Sequence, residues 1–152
     1  MIENFYSAEF YGIFMELILQ TLLLVFLLGG MVFFPAVVAP AVFASLEKIQ
    51  AGLFLRKLFP NYYLFIIILS GFAGVLGGFK TPVSFICIFI LISTLLVRQV
   101  LMPKINVWRD DALTGILNAD KKFKIAHRGT VILNVIQMCG LMYATYFNVK
   151  SF

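Results

Sequence analysis

The side chains able to do chemistry are crowded into one stretch, Arg98 to Asn134. It holds seven of the twelve basic residues, three of the seven acidic ones, the single Trp (Trp108) and the single His (His127). Long apolar runs flank it on both sides. Arg98, Asn106, Arg109, Asp110, His127, Arg128 and Asn134 are the candidate binding residues. Guanidinium and amide groups gathered at a membrane boundary suit an anion or a lipid headgroup, and His127 could titrate at the mouth of a proton relay. The bland alternative is structural: an Arg109–Asp110 pair pinning a loop onto helix ends, with Arg98 and Arg128 anchored among headgroups.

Glu16, with Gln20 one helical turn on, is the other candidate, a proton or cation site if the carboxylate is buried in hydrocarbon. Haem b is an alternative with His127 as a ligand, but a lone His needs a Met or a second chain to complete the pair. No cofactor is expected outside that alternative. No Ser–His–Asp order, metal-ligand cluster, glycine-rich phosphate loop or close carboxylate pair is present, so nothing supports an enzyme. Cys87 and Cys139 lie inside apolar runs and read as small buried hydrophobes.

The elements that must position these residues follow from composition. The chain has 152 residues, of which 62% are hydrophobic and only 12% charged. A soluble domain carries roughly twice that charge, so lipid must be the solvent for most of the chain. The net charge of +5 comes with no nucleic-acid-binding signature. It reads as topology and contact with anionic headgroups, and no nucleic-acid partner is expected.

Charges divide the sequence into uncharged runs at 17–46, 58–79, 81–97 and 129–149. About 20 apolar residues cross a bilayer as a helix, and the runs lack the alternation of a membrane barrel. The expected fold is an all-α, up-and-down transmembrane four-helix bundle. Its spans are placed at about 11–35, 59–79, 82–102 and 127–148 in a single domain, residues 1–152. The first helix is expected to kink at Pro35/Pro40. An amphipathic segment at about 36–56 then lies near the interface. The second helix is expected to start at Phe59–Pro60.

Ser84, Cys87, Leu91, Thr94 and Arg98 fall within about 80° of one another on the third helix. His127, Thr130, Asn134 and Gln137 form a similar stripe on the fourth. Such stripes should face other helices or a wet cavity. Ser70, Gly74 and Gly78, with Ala73 and Gly77, make two small-residue rows. They serve internal packing by default and a homo-oligomer face, or another membrane subunit, in the sharper reading.

Ten basic residues (Lys48, Arg56, Lys57, Arg98, Lys104, Arg109, Lys121, Lys122, Lys124, Arg128) fall on one side, and only Lys80 and Lys150 on the other. The positive-inside rule puts the ten in the cytoplasm and both termini outside, in a bacterial inner membrane. The acidic, aromatic N-terminus lacks the make-up of a signal peptide and is expected to stay on the mature protein.

The motifs Phe59-Pro60-x-Tyr62, Pro103-x-x-Asn106-x-x-Arg109-Asp110 and Phe123-x-x-x-His127-Arg128-x-Thr130-x-x-x-Asn134 resemble the transmembrane protein 205-like family. Thr130 stands where Ser is expected, which keeps the hydroxyl. The resemblance covers most of the chain and implies a small four-span membrane protein; it supplies no reaction, substrate or cofactor. The functional expectation is a non-enzymatic transport, lipid-contacting or scaffold component with a polar cytoplasmic vestibule. The alternatives are a haem- or quinone-linked redox protein using His127, or a proton- or cation-coupled carrier using Glu16.

Overall fold

Runs of Leu, Ile, Val and Phe with no charge can satisfy their backbone in lipid only as helices. The computed structural model describes residues 2–76, 78 and 81–151, with side-chain surroundings from residue 10 onward. Gly77 and Lys80, named in the packing row and the charge asymmetry above, lie outside the described residues, as do the side chains of the acidic N-terminus.

Helix α1 (Ile2–Phe33) passes through a π turn (Phe34–Val38) into α2 (Ala39–Ser45). Helix α3 spans Lys48–Leu76. Helix α4 (Pro82–Leu96) passes through a second π turn (Val97–Leu101) into α5 (Met102–Leu113), and α6 runs from Ala119 to Lys150. Four of these continuous helices are long and apolar enough to cross a membrane: Phe10–Ser45, Lys48–Leu76, Pro82–Leu113 and Ala119–Lys150. They pack as a closed cycle, α1 on α3, α3 on α4, α4 on α6 and α6 back on α1. The protein is an all-α, multi-pass transmembrane four-helix bundle.

The two π turns share a cause. Proline lacks an N–H and its ring clashes with the carbonyl four residues back. The residue before each proline bonds five back instead: Ala39 N–H to the Phe34 carbonyl ahead of Pro40, and Met102 N–H to the Val97 carbonyl ahead of Pro103. The wider turn makes room for the ring and the helix continues.

Several expected limits therefore change. Residues 36–56 are not one amphipathic segment, because α2 stops at Ser45, Leu46 is extended and α3 begins at Lys48. Pro60 does not open a helix but sits inside α3. The helix forms upstream of that proline because Ala51 and Leu55 bury against Val42 of α2, with Phe34, Val38, Leu58 and Phe59 packed around them. Arg109 and Asp110 are on helix α5 rather than in a loop. His127 and Arg128 stand two turns inside α6 rather than at its start. The α5–α6 turn relies on Gly115 (φ 78) and Asn118 (φ 64), residue types that tolerate the left-handed region.

Leu24, Leu27, Met31, Ile66, Ala73, Val83, Cys87, Ile90, Leu141 and Ala144 form the core. Ser84, Cys87 and Thr94 are buried and Arg98 half-buried, so the α4 stripe faces inward. Cys139, expected to be buried, is exposed on the outer face of α6. Gly74 belongs to the internal contact: a Cβ there would lie 3.3 Å from that of Cys87.

The interior amide side chains bond between helices, which keeps their donors paired in hydrocarbon. Gln20 Nε2 donates to the Ala73 carbonyl (2.7 Å) and accepts from Asn148 Nδ2 (2.9 Å). Gln137 Nε2 donates to the hydroxyls of Ser93 (2.8 Å) and Thr94 (3.2 Å).

Candidate functional site

The site grows from helical spacing on α3. Gly52, Arg56 and Pro60 recur every fourth residue, so they share one face. The continuous α4–α5 helix runs antiparallel across from them, and each position meets a partner there. Arg98 Nε donates to the Pro60 carbonyl at 3.2 Å. Arg56 Nη2 donates to the Asn106 carbonyl at 3.2 Å and to Asp110 Oδ1 at 2.6 Å. At the far end the Arg109 guanidinium lies on Gly52, where even a methyl group would overlap it.

Three arginines thus line one seam with a single carboxylate in direct contact. The hydrogen bond from Arg56 holds the Asp110 carboxyl below its ordinary range; burial opposes this, and the charges of Arg56 and Arg109 add to the lowering. This pair lies past Pro103, beyond the apolar part of its span.

Between Arg98 and Asn106 the seam opens into a cavity of about 240 Å³, lined by Pro60, Arg98, Gln99, Met102, Pro103 and Asn106. The π turn carries Arg98 and Gln99, and such turns are frequent at functional sites. The Arg98 hydrogen bond uses Nε alone, and neither terminal nitrogen has a partner among the described residues. The side-chain amides of Gln99 and Asn106 have none either; Asn106 is engaged only through its carbonyl. Fixed donors around a small cavity in a net positive seam can hold an anion with several acceptor oxygens.

The expected cluster is brought together in part. Arg98, Asn106, Arg109 and Asp110 share the seam, but Asp110 pairs with Arg56 and not with its neighbour Arg109. His127 and Arg128 are exposed on α6, and the imidazole stacks on Phe123 with centroids 5.8 Å apart and planes 7° from parallel. Asn134 Nδ2 donates to the Tyr62 hydroxyl at 3.4 Å, which joins α6 to α3. Glu16 and Gln20 part company: Glu16 is exposed, whereas Gln20 is 4% exposed. Arg56, Gly52, Pro60 and Gln99 were not anticipated. The four-residue spacing of Gly52, Arg56 and Pro60 was the available signal. No group of three metal-ligating side chains occurs among the described residues.

Residues 22–112 match the model of a family described as Domain of unknown function (DUF4149). The chain belongs to this family. The DUF4149 segment takes in both π turns and every member of the α3–α5 seam, while His127, Arg128 and Asn134 lie beyond it. No curated protein and no solved structure matches the chain.

Proposed function

We propose that this DUF4149 protein is a non-enzymatic membrane component whose basic rim binds a phosphate-type anion at the α3–α5 seam. One observation carries the reading: three arginines line the seam while its carboxylate pairs with Arg56, and the donors left over, the Arg98 terminal nitrogens with the Gln99 and Asn106 amides, line one cavity. Tetrahedral oxyanions accept from several donors at once, and Arg offers paired N–H groups in a fixed fork. The rim faces the cytoplasm of an inner, cytoplasmic membrane in this proposal, with both termini outside, as the ten-to-two division of basic residues implies. The short motifs around Tyr62, Pro103 and His127 further support kinship with transmembrane protein 205-like proteins.

Calorimetric titration of the detergent-solubilised chain with inorganic phosphate and with sulfate tests this. Saturable binding that weakens roughly tenfold in Arg98→Gln is expected, the loss of one charge-assisted bond. The absence of binding in the wild type, or equal binding in the variant, would refute it.

A further inference from the structure

Both walls of the cavity continue into rows of residues that face lipid. On the continuous α4–α5 helix, Ile92, Leu96, Gln99 and Pro103 follow one another at steps of four, three and four, and therefore share a face. The upper two line the cavity. The lower two are 51% and 59% exposed. On α3, Pro60 lines the cavity, and Leu64 and Ile68, one and two turns down, are 40% and 45% exposed. The opening thus sits at the head of a crease between α3 and α4 whose sides are apolar and uncovered.

Depth agrees. Arg98 lies seventeen residues along its helix from Thr81, about 25 Å, close to the thickness of a hydrocarbon core. Beside Pro60, Phe34 stacks on Tyr62 with centroids 4.6 Å apart and lies 5.4 Å from Phe59, an aromatic cluster of the kind that marks the interface. The cavity lining is itself divided. Arg98, Gln99 and Asn106 supply donors, whereas Pro60, Met102 and Pro103 supply apolar contact.

We infer that the anion is the phosphodiester of an anionic phospholipid, which enters sideways from the inner leaflet and lays its acyl chains along the α3–α4 crease. The inference rests on the anion-binding reading above and names the source of that anion. Arg98 takes the phosphate, Gln99 and Asn106 take the remaining oxygens, and Leu64, Ile68, Leu96 and Ile92 contact the chains. Arg56 is held by Asp110 and sets the height of α5 over the opening.

Native mass spectrometry of the full chain tests this with phosphatidylglycerol and phosphatidylcholine of identical acyl chains. A separate arm adds inorganic phosphate or glycerol phosphate. The wild type should retain one phosphatidylglycerol roughly tenfold better than phosphatidylcholine. Arg98→Gln should lose that preference. Asn106→Ala should reduce it, and that amide makes no bond among the described residues, so folding is spared. Arg128→Gln, the same charge change on the exposed face of α6, should leave the preference intact. An equal loss in Arg128→Gln would show general attraction to a basic belt and overturn the inference. Binding of phosphate with no preference for phosphatidylglycerol would overturn the inference and leave the anion site standing. Binding of neither would remove both.

Discussion

Gln20→Leu should weaken the bundle more than Gln137→Leu, although both replace a buried glutamine in the membrane by an isosteric apolar residue. Gln20 joins three helices: it donates to the α3 carbonyl of Ala73 and accepts from Asn148 of α6. Interhelical hydrogen bonds in membranes contribute about 0.6 kcal/mol on average and up to about 1.7. Two such bonds give about 1 to 3 kcal/mol for Gln20→Leu. The substitution also leaves Asn148 Nδ2 only the Thr21 hydroxyl, at 3.3 Å. Gln137 only donates, to two hydroxyls. Ser93 still bonds its own helix through the Phe89 carbonyl at 2.6 Å, and the Thr94 hydroxyl loses a bond it accepted, so no amide donor is left unpaired there. At the average value the two Gln137 bonds give about 1 kcal/mol, the low end of the Gln20 range. Unfolding by dodecyl sulfate in mixed micelles, followed by far-UV circular dichroism, measures both. A double-mutant cycle with Asn148→Leu should show positive coupling for Gln20 and additivity for Gln137. Equal costs, or additivity of Gln20→Leu with Asn148→Leu, would refute the claim that this glutamine locks α1 against α3 and α6.

Gly74→Val should cost about 1 to 3 kcal/mol by overpacking, since even a Cβ sits 3.3 Å from Cys87 Cβ, and the same unfolding assay reads it. Pro103→Ala supplies an amide able to bond the carbonyl four residues back, so the π turn at Val97–Leu101 is no longer enforced; slower amide exchange over 97–103 is the expected result. The Arg56–Asp110 restraint should be complete above about pH 4, the ordinary carboxylate value, and fade as pH falls through the lowered value of Asp110. Amide exchange in α5 should accelerate over that acid range in the wild type and show no such step in Asp110→Asn.

Span number and fold class were legible because a charge in hydrocarbon is costly, and uncharged runs near 20 residues therefore map onto crossings. Helix ends were not. Charges mark where hydrocarbon stops, whereas α3 begins eleven residues before the first lipid-bound turn expected at Phe59, and α5 carries its helix well past Arg98. Pro60 misled for a related reason. A proline can open a helix or sit within one, and the choice was made by Val42 packing on Ala51 and Leu55, a contact between elements. The seam was half legible: Arg98, Asn106, Arg109 and Asp110 are near in sequence. Arg56 is 54 residues from Asp110, and that pairing depends on two helices crossing at one height. Gln20 and Asn148, 128 residues apart, illustrate the same limit.

The placement of the remaining polar groups bears on function more than their number does. A polar side chain in lipid must find a partner, and Gln20, Thr21, Asn134, Gln137 and Asn148 all do so on another helix. Those bonds account for these five side chains as cement. The Arg98 terminal nitrogens and the Gln99 and Asn106 amides are different in kind. They sit on or beside a π turn that proline imposes, they line one opening, and they make no bond to another helix among the described residues. Water alone would solvate them if the opening had only polar walls. Its walls run down instead into Leu64 and Leu96, exposed apolar side chains on spans that cross the membrane. A ligand satisfying both halves of that surface has oxygens at one end and hydrocarbon at the other.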